Sequence, residues 1–204
     1  MQKEPGTPLV ELKHISKSFP GVKVLEDISV AFYPGKVHVL LGENGAGKST
    51  IIKIISGIYH PDSGEVMIEG KAERFTNIRQ SQKLGISVIH QELSVIEDLM
   101  VYENVFLGRE IRCNGILDKR KMIAETKNLM SGIGIDIDPK AYIRELNNGE
   151  KQMVEIIRAV SQNSRMVIMD EPTSSLSGYE VDALFAVMKK LIKENVAIIY
   201  ISHR

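Results

Sequence analysis

The sequence of 204 residues has little of what stabilises secreted proteins or anchors proteins in membranes. Its single cysteine, Cys113, excludes an internal disulfide and is typical of a reducing compartment. The first residues, Met1 to Gly6, lack the apolar core of a signal peptide. No apolar run approaches the roughly 20 residues of a membrane-spanning helix. We therefore expect a cytosolic chain whose role at a membrane would come through a partner.

Net charge is also absent from the sequence. Lys and Arg number 26, and Asp and Glu also number 26, so the formal net charge is zero. A general surface for nucleic acid or anionic membrane is therefore not expected, although a local patch stays possible. The length is sufficient for one large domain or for two small lobes around a substantial core.

The sequence does contain one informative pattern, in which a glycine and four free positions are followed by Gly-Lys-Ser. An apolar run precedes it and helix-period isoleucines follow it, which is the strand-loop-helix context of a phosphate loop. The glycines let consecutive N–H groups point at one anion, and the helix adds its positive end. We expect the lysine to bind the β- and γ-phosphates and the serine to bind Mg²⁺. The predicted nucleotide-binding residues are Gly42, Glu43, Asn44, Gly45, Ala46, Gly47, Lys48, Ser49 and Thr50.

Four apolar runs end directly before a glycine or a polar residue. They are 37–41, 86–90, 166–169 and 196–202, followed by Gly42, Gln91, Asp170 and His203. Ligands of open parallel sheets bind beyond the carboxyl ends of the strands, so the four ends predict one site.

Each polar residue at these ends has a predicted role. Asp170 orients Mg²⁺, and Glu171 polarises a water that attacks the γ-phosphate. Gln91 and His203 are candidates for contacts to Mg²⁺, water or γ-phosphate, although each is also typical of plain polar surface at a strand end.

The segments outside these runs predict two further layers. Residues 9–19 alternate like a half-exposed strand, and 22–32 predict a further strand with a break near Glu26-Asp27. Together with 65–69 they predict an antiparallel β layer. Phe19 precedes a Pro-Gly turn, where it could stack on adenine or pack in the turn. Residues 93–147 contain helical pieces, such as 119–131, and glycine breaks, and they predict a helical subdomain.

A second helix start lies at Leu146 to Gln152. Asn147 or Asn148 is suited to cap the helix that runs to about Val160. The helix start is either simply a cap or a second anion-binding element. In the second case it would more naturally face a phosphate held by another protomer.

Taken in order, these motifs resemble the nucleotide-binding domain of an ABC transporter, over essentially the whole chain. The resemblance identifies Gly42–Thr50 as Walker A, Met166–Asp170 as Walker B and Glu171 as the catalytic glutamate. It also gives roles to Gln91 as the Q-loop glutamine, Leu146–Glu150 as the signature, 172–177 as the D-loop, His203 as the H-loop histidine and Phe19 as the adenine platform. The sequences of these motifs are most similar to those of ribose, galactose and xylose import ATPases, which usually carry two such domains in tandem.

The resemblance implies an α/β fold of the P-loop NTPase class, with a mostly parallel core sheet, an N-terminal antiparallel β layer and a helical subdomain. We expect a single ATPase domain over 1–204, with its core in 1–92 and 148–204 and its helical subdomain in 93–147. The family continues beyond the equivalent of His203, so we expect a truncated first domain.

The signature departs from the usual Leu-Ser-Gly-Gly-Gln. Here Asn147 replaces the serine and Glu150 adds a negative charge, while Gly149 is kept. Asn147 and Gly149 are therefore expected to meet the partner's nucleotide with weakened binding.

The resemblance implies an ATP-hydrolysing motor of a sugar importer that uses ATP and Mg²⁺. Its expected partners are a second ATPase domain, transmembrane permease subunits and, indirectly, an extracellular or periplasmic sugar-binding protein. It would lie peripherally on the inner face of the cell membrane. Two alternatives stay open: a soluble ABC ATPase acting on nucleic acid or the ribosome, which the zero net charge disfavours, and a domain that binds ATP with impaired hydrolysis.

Overall fold

The computed structural model describes residues 6–43, 45–90, 93–173 and 176–202. The strands of these ranges are β1 Val10–Phe19, β2 Val22–Phe32, β3 Val37–Leu41, β4 Ser63–Ile68, β5 Lys71–Glu73, β6 Ile86–Ile89, β7 Arg112–Cys113, β8 Ile116–Leu117, β9 Met166–Asp170 and β10 Ala197–Ser202. The helices are α1 Lys48–Ile55, α2 Ile78–Lys83, α3 Val101–Val105, α4 Lys119–Ser131, α5 Asn148–Val160 and α6 Gly178–Lys193, with a 3₁₀ turn at Ile143–Glu145.

The described residues form two compact units. The first contains those of Met1–Val88, Ser164–Glu171 and Leu191–Arg204, and the second those of Ile89–Asn163 and Pro172–Lys190. This division differs from the predicted one, because 148–163 and 172–190 group with the helical segment. Helix α5 packs on α3 and α4, and Tyr179 donates a hydrogen bond to the carbonyl of Gly134.

The first unit contains the predicted antiparallel β layer. Its strand order is β2-β1-β4-β5, with β1 antiparallel to both β2 and β4. The break expected in the second strand near Glu26-Asp27 coincides with a register shift and with Asp27, whose φ is +50°. The prediction of an antiparallel N-terminal layer is confirmed.

The first unit also contains the sheet that the four apolar runs predict. Its strand order is β3-β10-β9-β6, and β10 is parallel to both β3 and β9. Every residue of β9 except Asp170 is buried, as is typical of a strand covered on both faces. The prediction that these distant segments share one sheet is confirmed.

One apolar core joins both sheets of the first unit to α1. Helix α1 contributes Ile52, Ile54 and Ile55 to this core, as the helical spacing of the isoleucines predicts. The cluster includes Leu12, Ile15, Phe32, Val66, Met166, Ile168, Ile199 and Ile201. This core fixes the loop before α1 relative to the strand ends.

The second unit is mainly helical. Helix α4 has the predicted bounds, and the Asp118 side chain caps it by accepting from the N–H of Lys121 at 3.0 Å. The buried side chains of this unit include Val101, Tyr102, Met122, Met130, Ile143, Met153 and Ile156. No helix among the described residues is both long enough and apolar enough to cross a membrane.

Candidate phosphate-binding site

The loop between β3 and α1 depends on glycines in left-handed backbone conformations. Gly45 has a φ of +88° and Gly47 a φ of +84°. Gly47 is the N-cap residue of α1 and makes no side-chain capping bond. A Cβ atom at Gly47 would lie 2.6 Å from Leu25 Cδ2 and 3.2 Å from the carbonyl of Val24. A side chain at this position would be strained by the φ and would have to displace Leu25, and the glycine leaves the first turn of α1 without a side-chain cap.

Lys48 lies over the loop that precedes it. Its Nζ donates to the carbonyl of Gly42 at 2.5 Å and to that of Glu43 at 2.8 Å. The Ala46 N–H closes the loop by donating to the Glu43 carbonyl at 3.2 Å. Ser49, in the first turn of α1, is exposed. The arrangement gathers an ammonium, a hydroxyl and helix N–H groups at one place, which suits bound phosphates and a magnesium ion. Asn44 lies outside the described residues.

Two carboxylates lie at the end of β9, at the same edge of the sheet as the loop. Asp170 ends β9 opposite Ile201 of β10, and Ser202 of β10 pairs with Leu41 at the end of β3. Glu171 has a φ of +49°, and its N–H donates to the Ile201 carbonyl at 3.2 Å. Since the parallel strands end in register, the structure brings these carboxylates to the edge where the phosphate loop begins. Gln91 and His203, the other predicted site residues, lie outside the described residues.

Phe19 packs against a second aromatic ring. The centroids of Phe19 and Tyr59 are 5.3 Å apart at an interplanar angle of 62°, an edge-to-face geometry that aromatic pairs favour. Lys17 Nζ is 5.7 Å from the Phe19 centroid. The ring is half-buried, so it has a packing role, and stacking on adenine stays a prediction.

The second unit contains the predicted signature helix. Asn147 is the N-cap residue of α5, because its Oδ1 accepts from the N–H of Glu150 at 2.9 Å. Glu150 Oε2 in turn accepts from the N–H of Asn147 at 2.9 Å. This reciprocal capping box uses the Asn147 oxygen and fixes the Glu150 carboxylate at the helix start.

A second carboxylate at this helix start was missed by sequence reasoning. Both the N–H and the Oγ of Ser177 donate to Glu180 Oε2 at 2.7 Å. The carboxylate of Glu180 packs so closely on Gly149 that a Cβ atom at 149 would clash with it. The Ser-x-x-Glu spacing is a capping signal visible in the sequence, but the contact with Gly149 depends on tertiary packing.

Comparison with known proteins finds relatives over almost the whole chain. Residues 25–174 match the protein family described as ABC transporter. The chain is 48% identical over 200 residues to the ribose import ATP-binding protein RbsA of Clostridium perfringens (strain SM101 / Type A), covering 97% of this chain and 40% of that protein. It is 44% identical to the galactose/methyl galactoside import ATP-binding protein MglA of Clostridium perfringens (strain 13 / Type A), covering 96% of this chain and 38% of the relative.

A solved structure agrees with the fold. The ADP conformation of MJ1267, an ATP-binding cassette of an ABC transporter, superposes with a TM-score of 0.83 at 26% sequence identity. The match covers 97% of this chain and 82% of that one. The chain thus spans most of a single solved cassette but only about two fifths of the curated relatives named above.

Proposed function

The chain belongs to the ABC transporter family, and we propose that it is the ATP-binding and ATP-hydrolysing motor domain of an importer for a sugar. Relatives named as ribose and galactose import ATP-binding proteins support the sugar. Their greater length supports a first domain whose partner ATPase domain follows on the same polypeptide. The domain would lie at the inner face of the cell membrane through permease subunits, and an extracellular or periplasmic sugar-binding protein would be an indirect partner.

The observation that carries this proposal is the phosphate loop. A side chain at Gly47 would crowd Leu25, α1 starts without a side-chain cap, and Lys48 donates to the loop carbonyls. These features leave backbone donors and one ammonium for the phosphates of ATP.

The other predicted site residues would bind Mg²⁺ or take part in hydrolysis. Ser49 and Asp170 would hold Mg²⁺, together with Gln91. Bound Mg²⁺ neutralises negative charge on the phosphates. Glu171 would orient the attacking water and accept its proton at the carboxylate. His203 would contact the γ-phosphate from the end of β10.

The start of α5 would complete the site of a partner domain. Asn147 Oδ1 is used in capping, whereas its amide nitrogen is a donor suited to a phosphate oxygen. ATP would then hold two domains together, and hydrolysis would let them separate. The permease would convert that motion into transport.

Nucleotide binding tests the first step of this proposal. We expect Lys48→Ala, in the full-length protein, to abolish Mg-ATP binding at this domain or weaken it severely, because the loop loses its ammonium. Lys71→Ala, on the exposed strand β5 of the same unit, is the matched control and should bind normally. The measurement is titration calorimetry with Mg-ATP, with the second ATPase domain inactivated. Unchanged affinity in Lys48→Ala would refute the assignment.

A second candidate is a domain that holds ATP but hydrolyses it slowly. Two carboxylates favour it, because Glu150 and Glu180 both lie at the helix start proposed to face a phosphate. Like charges close to an incoming anion oppose its binding. Turnover per site in the assembled transporter separates the two candidates, since the motor requires it to be brisk.

A further inference from the structure

Ser94 is held by two charged side chains of α5. Its N–H donates to Glu155 Oε1 at 2.8 Å, and its hydroxyl donates to the same oxygen. Arg158 donates from Nη1 to the Ser94 carbonyl at 3.1 Å and from Nη2 to Ser94 Oγ at 3.0 Å. All three residues belong to the second unit. We call Ser94, Glu155 and Arg158 the Ser94 clamp.

The residues after Ser94 are anchored in the same way. Lys151 Nζ donates to Glu97 Oε1 at 2.6 Å, and this bond lowers the pKa of the Glu97 carboxyl. Asn104 of α3 accepts from the Ile96 N–H at 2.8 Å and donates to its carbonyl at 3.1 Å. Lys151, Glu155 and Arg158 are four and three residues apart, so they lie on one face of α5. This face holds the segment 94–97.

The clamp contains a buried carboxylate. Glu155 is only 3% exposed, and its Oε2 has no hydrogen-bond partner within the described part of the chain. Burying a carboxylate is costly, and replacing a buried ion pair by apolar residues is often neutral or stabilising. An apolar residue would therefore serve packing as well as Glu155 does. What the carboxylate adds is a fixed position for the Ser94 backbone.

We propose that Glu155 and Arg158 are positioning residues that fix the segment after Gln91 to the helix that begins at Asn147. The inference rests on the proposed function, which gives Gln91 a role at the domain's own nucleotide and Asn147 a role at the partner's. Gln91 precedes Ser94 by three residues in the sequence. A rigid link at Ser94 would therefore make the two nucleotide sites respond to each other.

The experiment removes the clamp without removing any residue proposed to touch nucleotide. In the full-length protein assembled with its permease, Glu155→Leu and Arg158→Met remove its charged members. Glu155→Gln keeps an acceptor for Ser94 and is the conservative rescue. Ser94→Ala leaves the carboxylate in place and serves if Glu155→Leu fails to fold.

The matched control is Arg109→Met, in the same unit. Arg109 as a whole residue is exposed, and partial burial of its guanidinium, followed by the charge of Arg158, lowers its pKa. Its guanidinium donates to the carbonyls of Ser161 and Val105 and not to Ser94. Loss of an arginine that donates to backbone carbonyls is therefore common to both arginine variants, and loss of the clamp is specific to Arg158→Met.

We expect faster hydrogen–deuterium exchange in the peptide 93–98 of Glu155→Leu and Arg158→Met than in wild type or Arg109→Met. Mg-ATP affinity should stay within about twofold, because the phosphate loop is untouched. The kcat for ATP should fall about tenfold to a hundredfold, since a misplacement of about 1 Å can cost about a hundredfold. Glu155→Gln should recover most of the kcat.

The outcomes separate this inference from the proposed function. Unchanged exchange in Glu155→Leu overturns the clamp. Faster exchange with a kcat equal to that of Arg109→Met shows a merely structural contact and overturns the positioning role alone. A wild-type assembly that binds Mg-ATP without hydrolysing it overturns the proposed function, and the positioning role with it.

Discussion

At the scale of single residues, Glu171 has a backbone conformation that few residues with side chains adopt. Its φ of +49° is in the left-handed region, which costs a non-glycine residue about 1–3 kcal/mol. Its N–H is bonded to the Ile201 carbonyl, so the register of β9 and β10 holds this conformation in place. Glycine would adopt it without strain. The presence of a carboxylate instead favours a function for the side chain.

We expect Glu171→Gln to keep Mg-ATP affinity while losing most hydrolysis in an assembly competent for turnover. The amide has the size of the carboxylate but cannot accept a proton, and general base catalysis typically contributes about 10²–10⁴-fold. Single-turnover hydrolysis and equilibrium binding measure the two effects. Glu73→Gln, the same change on the exposed strand β5, should alter neither. Lost binding with intact turnover per bound ATP would contradict the role of Glu171.

The sequence could predict the residues whose neighbours are close along the chain. Lys48, Asp170 and Glu171 each lie within a short motif that specifies its own context, so pattern and spacing were sufficient to propose them, and their roles stay predictions. Glu180 and Glu155 were missed because their partners, Gly149 and Ser94, are more than 30 residues away. A charged residue inside the apolar run of α5 is a signal, but it does not identify the partner.

At the scale of elements, the start of α1 is fixed by contact with β2. Gly47 and Gly45 have nearly equal φ values, yet a Cβ atom at Gly47 would meet Leu25 and the Val24 carbonyl, whereas one at Gly45 would have no neighbour within 4 Å in the described part of the chain. The two positions therefore differ in whether an added side chain would clash with its neighbours. Conformational strain applies to both positions, whereas a steric clash applies only to Gly47.

We expect Gly45→Ala to destabilise the domain by about 1–2 kcal/mol through left-handed strain. Gly47→Ala should cost about 1–3 kcal/mol more, because overpacking at Leu25 adds to that strain, and should also weaken Mg-ATP binding by displacing α1. Urea unfolding of the full-length protein, followed by a probe in this domain, measures the difference. Equal free energies of unfolding for the two variants would show that the contact with β2 does not constrain the loop.

Most of the strands and helices were predictable, because the spacing of their apolar residues indicates which face of each element is buried. Alternation predicted β1 and β2, and four apolar runs predicted the strands of the parallel sheet. The unit to which α5 belongs was not predictable in this way. Its amphipathic pattern shows that it has a buried face, but not that the face packs on α3 and α4.

At the scale of the whole molecule, the proposed catalytic groups divide between two units. The phosphate loop and Glu171 belong to the first unit, and Asn147 and Gly149 belong to the second. In the family to which the chain belongs, the signature helix is expected to complete the site of a partner domain. Each chain would then contain two half-sites, and catalysis would require two domains.

We therefore expect the 204-residue chain alone to bind Mg-ATP but to hydrolyse it slowly, with turnover per chain that rises with protein concentration. Removing one preorganised donor from a transition state costs about 10²–10³ in rate, and the nucleotide site of a monomer lacks the whole signature element of a partner. Specific activity across a wide dilution series is the measurement. Brisk turnover that persists where sedimentation shows only monomers would refute the composite site.

Mixing two inactive variants tests directly whether two chains share one catalytic site. Lys48→Ala loses its own phosphate loop but keeps its signature. Asn147→Asp keeps the loop and the capping oxygen, because Asp caps helices as well as Asn does, but loses the amide donor and adds a charge facing the partner's phosphate. Each variant alone should be nearly inactive. In a mixed pair, the loop of one chain meets the intact signature of the other, so mixing should restore part of the lost turnover. Activities that merely add on mixing would mean that Asn147 acts within its own chain or not at all.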